Sequence, residues 1–181
     1  IFKLILFLAI LSIKIKLAYT AEKFFLSADT ISKNDINNTI KAEGNVSIKN
    51  NHYKLKADKI TYYLKEKKVF AKGNVIILDR NTNIIYATEA ELSSDLKSNF
   101  IKNIGVLLSD NSRLVASSAK SIKEPEKTIY SNVVFTKCKS CKERTDDSIM
   151  WKLKAKKATH LKKSKIILYE SVFLEAFNIP I

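Results

Sequence analysis

Glycine and proline are scarce in this chain, with 3 and 2 among 181 residues. Flexible linkers and low-complexity segments are usually rich in these residues, so the composition excludes both. Arginine is also rare, although the formal net charge is +14. A nucleic-acid-binding surface would cluster arginine and aromatic residues on one face. The charge is instead carried by lysines opposite the aromatic residues, which favours solvated strand faces. A partner rich in anions, such as nucleic acid or phosphorylated lipid, is the alternative.

The amino-terminal apolar stretch is too short to span a bilayer as a helix, which needs about 20 residues. It runs from Leu4 to Ile13, follows Lys3, and leads to small residues that end at Ala21. A basic start, a short apolar run and small residues are typical of a secretory signal peptide. We predict a signal peptide over residues 1–21 and a mature domain over 22–181; a retained amphipathic anchor is the alternative.

Only two cysteines occur, Cys138 and Cys141, and they lie in a polar insert between two strands. A redox-active Cys-x-x-Cys needs a helical context that lowers a thiol pKa, and zinc needs four ligands. The two histidines, His52 and His160, follow no zinc spacing. In an exported protein a disulfide is favoured, either between these cysteines or to others outside the chain. The sequence contains no recognisable set of catalytic residues, so we predict that the protein is not an enzyme and binds no cofactor or metal. A thiol oxidoreductase is the enzymatic alternative.

Two short motifs repeat in phase along the chain. An alanine followed three residues later by an apolar residue begins at Ala28, Ala57, Ala87, Ala116 and Ala155. A second motif, Glu-Gly-Asn-Val in its first copy, ends at Val46, Val75, Ile104, Val133 and Val172. A fixed period of about 29 residues is typical of stacked supersecondary units that cannot bury an apolar face alone. We therefore predict five tandem copies of one unit.

Each unit has the pattern of β-strands. Tyr53, Leu55 and Ala57 alternate with lysine and aspartate, which puts the apolar set on one face. The phase then slips, because Ala57 is followed by Ile60 rather than by an apolar residue two positions on. A slip of three residues predicts a bulge, a bend or a corner where a strand passes between two sheets. The glycines Gly44, Gly73 and Gly105 are interpreted as turn or bulge positions.

The repeat resembles the OstA (organic solvent tolerance) family, through Ala-Glu-Gly-Asn-Val at 42–46 and Ala-Lys-Gly-Asn-Val at 71–75. The cysteine insert, the Met-Trp-Lys-Leu-Lys-Ala of 150–155 and the Glu-Ala-Phe-Asn-Ile-Pro of 175–180 are similar to the amino-terminal domain of its LptD-type members. The resemblance implies an all-β fold, a twisted open β-jellyroll, in the periplasm or at the outer membrane. It also implies lipopolysaccharide transport and outer-membrane biogenesis. An outer-membrane barrel is then expected after Ile181. A short soluble relative of the LptA bridge type is the alternative.

The resemblance further implies a groove that binds lipid acyl chains. The residues on the apolar face that we predict to line it are Val46, Ile48, Tyr53, Leu55, Ile60, Tyr62, Val75, Ile77, Leu92, Val106, Leu108, Leu114, Val133, Phe135, Trp151 and Leu153. A structural β-solenoid, such as an adhesin or scaffold, would show the same repeat with a closed core. Copurified lipid would distinguish the two.

The first strand is the predicted partner edge, because no earlier copy precedes it. It comprises Phe24, Phe25, Leu26, Ser27, Ala28, Asp29, Thr30 and Ile31. Strict alternation puts Leu26 and Ala28 on one face and Ile31 on the other. The resemblance implies that a periplasmic bridge protein of the LptA type docks here, and that the barrel and its plug lipoprotein are further partners.

Overall fold

The computed structural model describes residues 25–49, 53–79, 82–93, 98–123, 125–137, 151–177 and 179–181. Every regular element within these ranges is a β-strand. The strands are β1 Phe25–Ser27, β2 Thr30–Asn34, β3 Thr39–Lys49, β4 Tyr53–Tyr63, β5 Lys68–Asp79, β6 Ile84–Ser93, β7 Asn99–Leu107, β8 Arg113–Ile122, β9 Lys127–Thr136, β10 Trp151–Leu161, β11 Ile166–Ala176 and β12 Ile179–Pro180. Within these ranges there is no helix long and apolar enough to cross a membrane.

The strands form one twisted antiparallel sheet in which chain neighbours are also spatial neighbours. The order is β1-β3-β4-β5-β6-β7-β8-β9-β10-β11-β12, and β2 also pairs with β3. The prediction of an all-β, open jellyroll-like fold is confirmed. The sheet is open because β1 and β2 form one end and β11 and β12 the other. Period-two alternation explains the fold, since each strand can bury only one face and needs a neighbour on each side.

The second repeated motif forms β-bulges in the first two copies. The pairing of β3 with β4 shifts between Glu43 and Val46, and that of β5 with β6 between Lys72 and Val75. In the first four copies of this motif an asparagine has positive φ, namely Asn45, Asn74, Asn103 and Asn132. Asparagine tolerates this left-handed conformation better than most residues do. The repeated Asn therefore has a local structural reason.

Each of these asparagines also forms a hydrogen bond to the alanine motif of its own copy. The Nδ2 atoms of Asn45 and Asn74 donate to Asp29 and Asp58, each over 3.0 Å. Those of Asn103 and Asn132 donate to the hydroxyls of Thr88 and Ser117, over 3.1 and 3.2 Å. The acceptor is always the residue after the repeated alanine. The two sequence motifs are therefore in contact with each other in each of these four copies.

The bulges explain the phase slip without a second sheet. Ala57 and Ile60 are both buried although they are three positions apart, and they lie where the pairing of β4 with β3 and β5 shifts its register. The interpretation of the slip as a corner between two separate sheets is thus corrected: the bend lies inside one continuous sheet. The repeated alanines are small enough for the bend, and Ala57, Ala87, Ala116 and Ala155 are all buried.

The bend folds the sheet so that its two halves face each other across the core. We call the half with Ile40, Tyr62 and Val69 the upper half, and the half with Leu26 and Ile48 the lower half. Buried residues from both halves join one cluster; its largest fully buried side chains include Leu55, Ile60, Leu92, Val46, Val75 and Val133.

Only two of the three glycines occupy the predicted bulge positions. Gly44 and Gly73 have φ of 76° and 75°, in the region that favours glycine. Gly105 lies inside β7 opposite Tyr86 and Val115, and its φ is not positive. The interpretation of Gly105 as a turn or bulge residue was wrong, because it is paired in regular register on both sides, and the positive-φ residue of its copy is Asn103, two positions earlier.

Gly73→Ala is expected to lower the free energy of unfolding by about 1–3 kcal/mol, the usual cost of holding a non-glycine residue in a strained conformation. A Cβ at this position would also come within 2.9 Å of Cγ of Asp58 and displace the acceptor of Asn74. The measurement is a urea unfolding curve. Gly105→Ala is the matched control, since its nearest contact would be an ordinary 3.7 Å to Val115. Equal midpoints for the two variants would contradict the bulge assignment.

Candidate functional site

An apolar cavity of about 220 Å³ lies inside the sheet near its amino-terminal end. Its wall is contributed by Leu26, Ile40, Ala42, Ile48, Tyr53, Ile60, Tyr62 and Val69. Apart from two tyrosines these side chains are aliphatic. Such a site has no polar groups with which to fix a polar substrate, so it suits an apolar one.

The cavity exists because both halves of the bent sheet contribute to it. Ile40 and Ile48 lie on the same strand, β3, at either side of its bulge, yet both reach the same cavity. Ile40 pairs with Tyr62 and Tyr62 with Val69, which forms the upper wall. Leu26 pairs with Ile48 and forms the lower wall. The small side chain of Ala42 near the bend leaves the volume between them unfilled.

The cavity extends to the edge of the sheet. Leu26 belongs to the terminal strand β1, and 37% of its surface is exposed although it lines the cavity. Tyr62 is half-buried, whereas Ile60 behind it is buried. The apolar interior is therefore accessible at the amino-terminal end of the sheet and not sealed by it.

The predicted groove residues all lie on the inward face, but they divide into two groups. Ile48, Tyr53, Ile60 and Tyr62 line the cavity. The others are buried or half-buried away from it: Val46, Leu55, Val75, Ile77, Leu92, Val106, Leu108, Leu114, Val133, Phe135, Trp151 and Leu153. The rings of Phe135 and Trp151 contact each other with centroids 6.2 Å apart. Most of the second group belongs to the core cluster or packs against it, whereas Leu108, Phe135 and Trp151 are half-buried outside it.

Four cavity residues were not among the predicted groove residues: Leu26, Ile40, Ala42 and Val69. Leu26 had been predicted as part of the partner edge only. The register of the hairpins could have identified two of them, because Ile40 and Val69 each lie opposite Tyr62. Antiparallel neighbours share a face, so a hairpin model built on the Leu64–Lys67 turn would have found Val69.

The interior becomes more polar toward the carboxyl-terminal end. The hydroxyls of Ser121 and Thr128 share a buried hydrogen bond of 3.0 Å. His160 lies beside the buried Thr128 in the register, on the inward face. Burial, and then the charge of Lys162, lower the pKa of this histidine, so it is neutral at pH 7. This end of the interior is therefore less suited to hydrocarbon than the cavity.

The predicted partner edge is at the edge of the sheet, but its strand is interrupted. Residues 25–27 and 30–34 form β1 and β2, which both pair with β3, and Ala28 and Asp29 separate them. Ile31 lies opposite Ala42, and Leu26 opposite Ile48, so both face inward. The expectation that they face opposite ways was wrong because the break shifts the phase by one residue, as the bulges do elsewhere. Phe24 lies outside the described residues.

Several other predictions also concern residues that the structure does not describe. These are the signal peptide at 1–21, the cysteines Cys138 and Cys141, and His52. Within the described ranges no group of three or more His, Cys, Asp or Glu side chains could hold a metal ion. Carboxylates there form exposed ion pairs with lysine, as Glu89 does with Lys72 and Lys102. Hydrogen bonds from these lysines lower the pKa of Glu89.

Comparison with known proteins finds matches among solved structures alone. No model of a known protein family matches the chain, and no curated protein matches its sequence. Among solved structures, one match is the crystal structure of LptH from Pseudomonas aeruginosa, described as the LptA homologous periplasmic component of the conserved lipopolysaccharide transport device. The TM-score is 0.34, the sequence identity is 10%, and the alignment covers 82% of each chain. A likeness this distant does not establish a function.

Proposed function

We propose that this chain takes part in lipopolysaccharide transport to the outer membrane and holds the acyl chains of the lipid in its apolar interior. The observation that carries the proposal is the cavity bounded by Ile40, Tyr62 and Leu26, which is apolar and reaches an open sheet edge. The OstA-like repeat of the sequence supports the choice of lipid. Export by the predicted signal peptide would put the chain in the periplasm.

The cavity is large enough to hold part of an acyl chain. An engineered cavity of about 150 Å³ lined by Leu, Ile and Phe can bind benzene, and this cavity measures about 220 Å³. Each methylene that leaves water contributes about 0.8 kcal/mol. A few methylenes at this end would hold the lipid without any covalent step, and further sites would come from a docked neighbour.

The finer proposal is that the chain is the periplasmic domain of an LptD-type protein, which passes lipid toward an outer-membrane barrel and its plug lipoprotein. The cysteine insert and the Met150–Ala155 segment of the sequence favour this branch. In this role a bridge protein of the LptA type would dock at β1 and β2, so that its interior continues into the cavity. A soluble bridge protein is the alternative, and the same cavity and edge would serve it.

A scaffold without cargo is the main rival. A structural solenoid needs a closed core, whereas here the interior contains an unfilled apolar volume that meets the surface at Leu26. A photo-crosslinking amino acid at Tyr62 is therefore expected to capture lipopolysaccharide in cells. Tyr63 is the matched control because it is the adjacent tyrosine, lies on the other face of β4, and contacts Phe70 with ring centroids 5.4 Å apart.

The comparison of the two positions decides the proposal. Capture at residue 62 with little or none at residue 63 would support a cargo inside the sheet. Equal capture at both positions, or capture at 63 alone, would reject the cavity as the lipid site. Absence of lipid at both positions in a protein that is folded and exported would favour the scaffold.

A further inference from the structure

The lower half of the sheet has a second apolar surface, on the face opposite the core. The register puts Ile76 opposite Tyr86 and Gly105 opposite Val115, and these residues alternate with the buried ones. We call this surface the outer patch. It comprises Ile76, Leu78, Ile84, Tyr86, Leu107, Val115 and Val134, on the five strands β5 to β9.

The outer patch has a signature in the sequence. In β4 and β10 the lower half alternates strictly, as in Tyr53-Lys54-Leu55-Lys56 and Trp151-Lys152-Leu153-Lys154. In the strands between them apolar residues are continuous, as in Val75-Ile76-Ile77-Leu78. Alternation is typical of a sheet with one solvated face, while continuous apolar runs are typical of strands covered on both faces. The middle strands therefore have the composition of a surface that is covered during function.

Nothing in the described part of the chain covers this surface. The exposed fractions of Leu78, Tyr86 and Val115 are 40%, 48% and 53%. Gly105 lies between Tyr86 and Val115, and its missing side chain leaves their flanks uncovered: a Cβ there would lie 3.7 Å from Val115. A contiguous apolar surface of this kind, rimmed by polar residues, usually marks a binding site for a protein or a membrane.

Basic residues border the outer patch on both sides. Lys54 and Lys56 lie opposite Leu78 and Ile76 on one flank. On the other flank Lys154 lies opposite Val134, with Lys152 two residues before it on the same strand. Arg113, opposite Leu107, adds a further cation.

A single acid, Glu175, offsets these cations among the described outward-facing positions of the lower half. It pairs with both Lys152 and Lys154, and hydrogen bonds from these two lysines lower its pKa. Lys54, Lys56 and Arg113 have no carboxylate within ion-pair distance in the described residues. The border of the patch is therefore positively charged on balance.

This charge pattern favours a bilayer over a second copy of the chain as the surface that covers the patch. Two copies packed face to face would bring lysine borders against each other, and like charges at close range are unfavourable. An apolar centre with a basic border instead suits a bilayer: the centre enters the interfacial region while lysines contact anionic headgroups. Tyr86 at the middle of the patch is of the residue type enriched at such interfaces.

We propose that the outer patch docks this domain onto the surface of a bilayer that contains anionic phospholipid. The docking face is the reverse of the face that lines the cavity, so the interior remains free while the protein is bound. The inference goes beyond the proposed cargo and does not depend on it: a protein that never carried lipopolysaccharide would still present this surface.

The test is cosedimentation of the purified protein with phosphatidylcholine vesicles, with and without phosphatidylglycerol. Wild type is expected to sediment with the anionic vesicles, and less so as salt screens the lysines. The triple variant Leu78→Ser/Tyr86→Ser/Val115→Ser should bind about tenfold or more weakly, because a loss of about 1.4 kcal/mol already corresponds to tenfold. Lys54→Glu/Lys56→Glu should bind anionic vesicles less well.

The matched control is Phe70→Ser/Phe100→Ser. These two aromatic residues are also outward-facing, with exposed fractions of 42% and 38%, but belong to the upper half. The control should bind as wild type does, and circular dichroism should show all variants folded. Equal binding by the triple variant, or equal loss in the control, would overturn the proposal. A third outcome would also overturn the proposal: the wild type does not bind vesicles but forms dimers, and the triple variant does not form them. That outcome would assign the patch to contact with a second copy.

Discussion

Leu55→Asp is expected to leave the protein unfolded. Leu55 has 0% of its surface exposed and is among the largest fully buried side chains of the core. The substitution removes its apolar contacts and buries a carboxylate that has no partner, and each effect costs several kcal/mol. A domain is typically stable by about 5–15 kcal/mol, so the combined cost consumes most or all of that stability.

Two variants separate the causes of this effect. Leu55→Ala keeps the site apolar and should lower the free energy of unfolding by about 2–5 kcal/mol. Lys54→Asp introduces the same carboxylate at the adjacent position, whose side chain faces solvent, and should change stability by about 0.5 kcal/mol or less. Far-ultraviolet circular dichroism and urea unfolding provide the measurement. A Leu55→Asp protein that remains folded would show that the core is not packed around this residue.

This expectation changes how the lipid site can be tested. The sequence predicts both Leu55 and Tyr62 as groove residues, because both lie on the inward face of β4. The structure separates them: Leu55 packs in the core, and Tyr62 lines the cavity. Loss of lipid binding in Leu55→Asp would therefore report unfolding, whereas a change at Tyr62 reports on the cavity itself.

The inward face could be predicted from the sequence because alternation and the repeated motifs are local patterns. The same patterns could not distinguish a bulge from a corner between two sheets. A slip of three residues at Ala57 fits a bulge or a corner equally well, and only the pairing of Glu43 with Lys59 and of Val46 with Ala57 identifies the bulge. The prediction for the face of Ile31 was wrong for the same reason, because alternation alone does not reveal the break between β1 and β2.

The location of the cavity could not be predicted from the sequence, for a different reason. Period two says which side chains point inward, but not which of them meet a partner across the bend. Ile40 and Ile48 lie eight residues apart on one strand and line one cavity only because the sheet folds back on itself. Whether the space between two facing side chains is filled depends on that fold, and residues such as Ala42 decide it through their small size.

Leu26→Pro is expected to abolish docking of a periplasmic bridge protein while the rest of the sheet stays folded. Among the described residues β1 pairs with β3 on one side only, and it lies at the amino-terminal end of the sheet. Proline lacks the N–H that a ladder needs, and it is poorly tolerated where a strand is paired on both sides. A docked strand would pair β1 on both sides, so the substitution acts on the interface more than on the isolated domain.

Controls must separate the backbone of residue 26 from its side chain, because Leu26 also lines the cavity. Leu26→Ala keeps the N–H and should retain docking in a pull-down, even if it binds less lipid. Leu168→Pro makes the same change on β11, an exposed strand at the opposite end of the sheet, and should leave docking intact. Full binding by a folded Leu26→Pro protein, or loss of binding in Leu168→Pro, would move the interface away from β1. Loss in Leu26→Ala as well as in Leu26→Pro would instead assign recognition to the side chain, since the alanine variant leaves every backbone donor in place.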